Sequence, residues 1–162
     1  MKDNNSFKQT VSEHFDRQAV KSFEDYSLKE FGSSTNDKYL QSPYIFIEEY
    51  IEDNSFTNVL DYCCGTGIYS IFPAKRGLHV SGIDISEKSV RTAKNRAKLL
   101  DVDHLCQFQV GDAEKIPFHD KKFELVLSYG SLSYLDMNKA FNEINRVLGD
   151  EGILIIVDSL GH

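Results

Sequence analysis

Between residues 56 and 69, a short β-prone run is followed by a carboxylate, a glycine-containing turn and a helix-compatible segment. A strand that passes through a tight turn into a helix brings a ligand close to bare backbone. Gly65 and Gly67 have no side chain to block such a ligand. The helix after Gly67 would direct unpaired N–H groups and the positive end of its dipole toward the turn. The stretch therefore predicts a site for a ligand that carries a carboxylate or a phosphate.

Asp61, at the end of the predicted strand, narrows the choice of ligand. Its carboxylate would repel a pyrophosphate, but it would attract an ammonium group or a hydroxyl. A ligand with both an amine and a carboxylate would satisfy Asp61 and the helix terminus together. The amino-acid end of S-adenosylmethionine is such a group.

The run Asp61-Tyr62-Cys63-Cys64-Gly65-Thr66-Gly67 resembles the first motif of the class I S-adenosylmethionine-dependent methyltransferases, Asp/Glu-x-Gly-x-Gly-x-Gly. The chain departs from that pattern at Cys63, which stands in place of the first glycine. The resemblance implies that this turn binds the cofactor through Asp61, Cys63, Gly65, Thr66 and Gly67.

A second predicted strand, over residues 78–84, ends in another carboxylate, Asp84. It follows Asp61 by about 20 residues, the spacing at which an acidic residue binds ribose hydroxyls in nucleotide-binding folds. A carboxylate can accept two hydrogen bonds from a 2′,3′-diol. We therefore expect Asp84 at the ribose, with Ile85 beside it in the cofactor site. The alternative role, capping the next helix, suits Ser86.

The run from Gly111 to Phe118 resembles the family's Asp-Ala-x-x-Leu-Pro-Phe stretch. The resemblance implies that Asp112 accepts a hydrogen bond from the adenine amino group and that the neighbouring backbone, at Ala113, donates to a ring nitrogen. The fourth predicted strand, residues 123–128, ends at Ser128, and Tyr129 and Ser131 lie just beyond that end, where open α/β sheets bind ligands. These three residues are candidates to contact the methionine part of the cofactor or the substrate. Ser128 is therefore a further candidate for the cofactor site.

Upstream of these motifs, Phe7, Val11 and Phe15 recur at four-residue intervals, which is typical of an amphipathic helix. The helix is either an appendage packed on the core or a lid over the site, with Tyr26 or His14 facing the pocket. Both structures have the same pattern.

Composition excludes several classes of function. The net charge of −7 argues against general nucleic-acid binding, and we interpret the basic residues of helix 86–100 as a solvated face: Lys88, Arg91, Lys94, Arg96 and Lys98. No apolar run approaches the roughly 20 residues that span a bilayer, so no membrane association is expected. The start of the chain does not read as a secretory signal. Three cysteines without metal-ligand spacing favour a reducing cytoplasm and predict no metal site.

The resemblance implies a Rossmann-like α/β sandwich with a mostly parallel sheet of order 3-2-1-4-5. A linker at residues 32–37 and a helix start at Ser42-Pro43 divide the chain into an N-terminal segment, 1–42, and a cofactor-binding core, 43–162. The family's C-terminal β6–β7 hairpin is missing. We therefore expect a truncated core, with two alternatives: a homodimer through the edge of the fifth strand, or cover by the N-terminal segment.

The predicted function is methyl transfer from S-adenosylmethionine to a small-molecule acceptor, with S-adenosylhomocysteine as product. No catalytic base stands out among His14, Tyr129, Asp158 and His162. One alternative is a non-catalytic module that binds S-adenosylmethionine or a protein partner. A dinucleotide-dependent oxidoreductase is less favoured, since the turn lacks Gly-x-Gly-x-x-Gly spacing.

Overall fold

A computed structural model describes residues 4–26, 46–52 and 55–158, with side chains from residue 5 to 19 in the first of these ranges. The predicted linker at 32–37, the helix start at Ser42-Pro43, the Tyr26 side chain and His162 lie outside this description.

Five strands form one parallel sheet. Their bounds are Asn58–Tyr62 (β1), His79–Asp84 (β2), Cys106–Val110 (β3), Phe123–Tyr129 (β4) and Leu148–Val157 (β5). The order β3-β2-β1-β4-β5 confirms the predicted fold class. The order reverses at β1, which pairs with β2 on one side and β4 on the other, and open α/β sheets bind ligands at such a point.

Helices lie on both sides of this sheet. They are Asn4–Tyr26 (α1), residues 46–52 (α2), Ile68–Lys75 (α3), Glu87–Leu99 (α4) and Met137–Val147 (α5), with a 3₁₀ turn at Leu132–Tyr134. The Ser86 side chain accepts from the Ser89 N–H, which confirms the predicted cap of α4. The sequence also predicts Asp136 as the cap of the following helix, and its side chain accepts from the first N–H groups of α5. Among the described residues, no helix combines the length and the apolar character needed to cross a membrane.

The core has two halves, one on each face of the sheet. Neighbouring β1 residues point to opposite faces, so Val59 packs with α2, α3 and α4, whereas Leu60 packs with α5. Both are fully buried. Burial on both faces explains why the central strands β1 and β4 are predominantly apolar. The resulting helix–sheet–helix layering leaves the carboxyl ends of the strands as the edge where a site can form.

The structure corrects three predictions about individual side chains. The spacing of apolar residues after Asp136 predicts that Met137 and Phe141 lie on the buried face of α5, yet both are about 40% exposed. Arg96 was placed on the solvated face of α4, yet it is 1% exposed. In both helices the 3.6-residue period is as predicted. The width of the buried face differs, because it depends on the elements packed against the helix.

β5 also begins earlier than expected. The sequence predicts a turn at residues 149–152 before the strand, but the strand already pairs at Leu148, opposite Phe123. Leu125 then pairs with Ile153, so β5 contains extra residues that bulge from the ladder. Within the described residues, the other edge of β5 has no paired strand.

Candidate functional site

A cavity of about 450 Å³ lies at the carboxyl ends of the strands, between the sheet and α1. Its wall is formed by Lys8, Val11, Phe15, Gln18, Ala19, Asp61, Cys63, Cys64, Gly65, Thr66, Ile68, Tyr69, Asp84, Ile85, Ser89, Asp112, Ala113, Tyr129, Gly130, Ser131, Tyr134 and Leu135. Eight of the ten predicted site residues are on this wall. The other two are Gly67, which lies between two wall residues, and Ser128, which is 2% exposed and contacts Ser131 Oγ at 3.0 Å.

The turn after β1 depends on backbone conformations that favour glycine. Gly65 and Gly67 have φ values of 51° and 74°. Cys63 also has a positive φ, 58°, so the residue that departs from the glycine pattern keeps the backbone conformation that a glycine would adopt. The turn is closed by a 2.9 Å hydrogen bond from the Gly67 N–H to the Cys64 carbonyl. No side chain caps the start of α3.

Gly67 is required for a second reason, the close approach of α4. A Cβ on Gly67 would lie 2.8 Å from Ala93 Cβ, which is far inside van der Waals contact. At Gly65 a Cβ would meet nothing within 4 Å, so there only the backbone angle favours glycine.

Asp61 is a buried carboxylate, 3% exposed, that accepts a hydrogen bond from Ser70 Oγ of α3. Burial raises the pKa of Asp61 to about 7; the Ser70 bond opposes the rise and the charge of Asp84 adds to it. A carboxyl group with this pKa gains from a cationic neighbour, since a nearby positive charge favours ionisation.

Asp84 ties the end of β2 to the glycine turn. Its Oδ2 accepts from the Gly65 N–H at 2.8 Å, and its Oδ1 accepts from the Ser86 N–H at 2.9 Å. Burial raises the pKa of Asp84, and these two backbone bonds oppose the rise. Each carboxylate oxygen can accept a further hydrogen bond, so Asp84 can hold the turn and still contact a diol.

Asp112, after β3, is the most accessible of the three strand-end carboxylates. Its Oδ1 accepts from the Glu114 N–H at 2.9 Å, and its Oδ2 accepts from Lys8 Nζ at 2.6 Å. Lys8 also binds Glu114 Oε2 at 2.7 Å. Ala113 lies beside them on the wall, and its carbonyl accepts from Tyr62 Oη at 3.0 Å.

α1 covers this part of the cavity. Lys8, Ser12 and Asp16 follow one another at four-residue intervals and dock on the rim. Ser12 Oγ donates to the Ile85 carbonyl at 3.1 Å, and Asp16 accepts from Ser86 Oγ and from the Lys88 N–H. The neighbouring side chains Val11, Phe15 and Ala19 face the cavity.

His14, by contrast, is exposed and is not on the cavity wall, so the prediction that it faces the pocket is wrong. Its ring contacts the edge of Phe15 instead. Sequence reasoning also missed the docking role of Lys8, although the four-residue spacing of Lys8, Ser12 and Asp16 was available as a signal.

Two aromatic pairs complete the wall, and neither was predicted. Tyr69 stacks on Tyr129 with ring centroids 4.3 Å apart, and Phe15 meets Tyr134 edge to face at 5.2 Å. Each pair joins residues that are distant in sequence. No local pattern could therefore have shown these contacts.

The adjacent cysteines are not a reactive pair. Burial raises the pKa of both the Cys63 and the Cys64 thiols, so they are protonated and weakly nucleophilic. Cys64 packs with the core half that contains α3 and α4, whereas Cys63 packs against the other half. The part of the chain that the structure describes contains no cluster of His, Cys, Asp and Glu that could hold a metal ion.

Two curated relatives illustrate the sequence similarity. The uncharacterised protein MJ1252 of Methanocaldococcus jannaschii is 32% identical over 144 residues, which cover 88% of this chain and 52% of that protein. The demethylmenaquinone methyltransferase of Listeria welshimeri serovar 6b is 35% identical over 107 residues, which cover 64% of this chain and 45% of that enzyme. The chain thus spans about half the length of the curated relatives it matches.

The fold is found in solved structures as well. The [4+2]-cyclase SpnF superposes with a TM-score of 0.80 at 23% identity, covering 93% of this chain and 60% of that one. The family profile described as "Methyltransferase domain" matches residues 60–156, which include all five strands except the first residues of β1 and the last of β5. Together with the turn motif, this match shows that the chain belongs to the class I S-adenosylmethionine-dependent methyltransferase family.

Proposed function

We propose that this chain binds S-adenosylmethionine in the cavity and transfers its methyl group to a small-molecule acceptor, leaving S-adenosylhomocysteine. One observation carries the proposal: carboxylates at the ends of three adjacent parallel strands, Asp61, Asp84 and Asp112, line one cavity beside a glycine turn. The cofactor has an ammonium group, a ribose diol and an adenine amino group, which are three donors for three acceptors.

The chemistry of the wall fits this cofactor at the amino-acid end. Burial raises the pKa of Asp61, and no cation of the described residues pairs with it; the cofactor's ammonium group would supply one. The uncapped start of α3 would receive the carboxylate, because its N–H groups and dipole favour an anion.

The other end of the wall suits the nucleoside. Asp84 would accept from the ribose hydroxyls, with Ile85 against the adenosine. Asp112 would accept from the adenine amino group, with the Ala113 backbone beside it. Cys63, Gly65, Thr66, Gly67 and Ser128 would complete the cofactor site, the last two from behind the wall.

The bound cofactor supplies an electrophilic methyl group on a sulfonium. The protein's part in the reaction would be to orient the acceptor, since proximity and alignment supply most of the rate. Phe15 and Tyr134 lie where they can keep water from the cavity. Of the candidate bases, Tyr129 is on the wall, whereas Asp158 is already bonded to the Leu132 N–H at 3.1 Å. We assign no catalytic base.

Calorimetric titration of the purified chain with S-adenosylmethionine, S-adenosylhomocysteine and NAD⁺ tests cofactor binding. We expect binding of the first two and none of the third, because the buried Asp61 would face a pyrophosphate. An absence of heat with both sulfur compounds at millimolar concentration would reject the proposed function. Binding of NAD⁺ alone would favour the oxidoreductase.

A second candidate is a module that binds the cofactor without turnover. Two observations favour this candidate. The chain spans only about half the length of the curated relatives it matches, and the [4+2]-cyclase SpnF has the same fold. This candidate predicts cofactor binding with no methyl transfer to any acceptor. Turnover with a panel of small-molecule acceptors, measured as S-adenosylhomocysteine release, would reject it.

Three further expectations belong to the proposal. Residues 1–42 act as a lid segment on a core formed by residues 43–162, and the chain works in the cytoplasm. A homodimer through the outer edge of β5 is the alternative to a truncated core. Docking of α1 on the cavity supports the lid. Size-exclusion chromatography with light scattering tests the dimer, and a monomer at micromolar concentration would reject it.

A further inference from the structure

Arg96 is the largest of the fully buried side chains in the described part of the molecule. It lies on α4, one turn after Ala93, the residue that packs against Gly67. Residues three apart on a helix share a face, so Ala93 and Arg96 together form the surface that α4 presents to the glycine turn. Arg96 is therefore buried directly behind the turn.

The guanidinium of Arg96 makes one hydrogen bond to this turn: Nη1 donates to the Thr66 carbonyl. Its Nε and Nη2 atoms are buried without a hydrogen-bond partner among the described residues. Burial alone lowers the pKa of Arg96, to about 10, and the group remains charged at neutral pH. A buried charge without an acidic partner opposes folding, so packing does not explain why a cation lies here.

The position of the hydrogen bond between Arg96 and the Thr66 carbonyl suggests why a cation lies here. Thr66 is on the cavity wall, whereas Arg96 is not, so the charge lies behind the wall and next to it. The bond fixes the Thr66–Gly67 peptide, whose N–H closes the turn on the Cys64 carbonyl. Three carboxylates line the cavity, and Arg96 places a positive charge beside the one part of the wall that is expected to receive an anion.

We infer that Arg96 is a positioning residue: it fixes the Thr66–Gly67 peptide and supplies positive charge behind the turn, so that the site selects a ligand with an anionic carboxylate tail. The inference rests on the proposed function, because the ligand in question is the cofactor. It adds a determinant of tail recognition that never touches the ligand.

Two ligands separate this role from a merely structural one. S-adenosylhomocysteine and 5′-methylthioadenosine share the thioether and the nucleoside, but only the first has the amino-acid tail. Replacing Arg96 by Met, Arg96→Met, should weaken S-adenosylhomocysteine binding about tenfold or more, the scale of a lost charged hydrogen bond, and should change methylthioadenosine binding less than about twofold. The matched control is Arg91→Met, at an exposed position of the same helix, which should leave both affinities unchanged.

A loss of equal size for both ligands, or no loss, would overturn the inference while leaving the proposed function in place. Failure of the unsubstituted chain to bind S-adenosylhomocysteine would overturn both. If Arg96→Met does not fold, as judged by circular dichroism, the same two affinities are measured for Arg96→Lys. Lysine keeps the positive charge, but its side chain is too short to bond to Thr66 in the same way. A selective loss for S-adenosylhomocysteine of about threefold or more would support the inference, and an unchanged ratio of the two affinities would reject it.

Discussion

The two sides of the cavity are built in different ways. On the sheet side, the buried carboxylate of Asp84 is held by the Gly65 and Ser86 N–H groups, and that of Asp61 is held by Ser70 Oγ. On the α1 side, the partly exposed Lys8 forms ion pairs with Asp112 and Glu114. Backbone bonds to a buried group are costly to break, whereas ion pairs near solvent contribute little stability. We therefore expect the sheet side to be fixed and the α1 side to be adjustable.

The largest loss of stability should come from Gly67→Ala, because this residue lies on the sheet side of the cavity, which we expect to be fixed. The new Cβ would meet Ala93 at 2.8 Å, and the residue would be held at a φ of 74°. Strain and overpacking together should lower the free energy of unfolding by about 2–4 kcal/mol. Gly77→Ala is the control: its φ is 84° but a Cβ meets nothing, so a loss of about 1–2 kcal/mol is expected. Urea denaturation measures both, and equal losses would show that α4 does not clamp the turn.

Asp84→Asn should weaken binding of S-adenosylmethionine by about 1–3 kcal/mol, because the charged acceptor is lost. The same change removes the charge that holds the Gly65 and Ser86 N–H groups. Asp150→Asn, at an exposed position, should leave the affinity unchanged. Calorimetry gives both values. An unaltered affinity for the Asp84 variant would place the ribose elsewhere.

The pH dependence of stability should report Asp61. The pKa of this carboxyl rises from 3.8 to about 7 on folding, so the folded state binds more protons than the unfolded state between these values. Stability should therefore fall as pH rises from about 4 to 7, by up to ~1.4 kcal/mol per pH unit from this group. Asp61→Asn should remove that share of the slope, as urea denaturation across this range can show. Parallel pH profiles of the two proteins would contradict the assignment.

Lys8→Met should have the smallest effect on stability, about 0.2–1 kcal/mol, since its ion pairs are partly exposed. If the α1 side is adjustable, the off-rate of S-adenosylhomocysteine should rise, because one of the contacts that hold α1 on the rim is lost. Lys121→Met, in an exposed pair with Asp150, is the control and should not alter the off-rate. Stopped-flow displacement measures it. An unchanged off-rate for Lys8→Met would mean that α1 does not retain the ligand.

The contrast between the sheet side and the α1 side of the cavity also explains which site residues could be predicted from the sequence. Asp61, Asp84 and Asp112 were predictable because each follows a short β-prone run, and parallel strands bring such ends to one edge. Ser86 and Asp136 were predictable as caps because capping is local.

Arg96 and Lys8 were not predictable in the same way. The period of α4 places Arg96 beside four exposed basic residues, and only the packing of α4 on the glycine turn makes it a buried residue. Lys8 lies more than 100 residues from its partners in sequence. The four-residue spacing of Lys8, Ser12 and Asp16 marks a common face of α1, but the partners of that face depend on how the layers dock.

Asp16 gives α1 a direct effect on the start of α4. It accepts from Ser86 Oγ and, at 3.1 Å, from the Lys88 N–H, so the first turn of α4 is held partly by a side chain from another helix. Lifting α1 from the core would leave the Lys88 amide without its Asp16 acceptor. The hydrogen–deuterium exchange rate of that amide would then report how readily α1 leaves the core, with no label added to the protein.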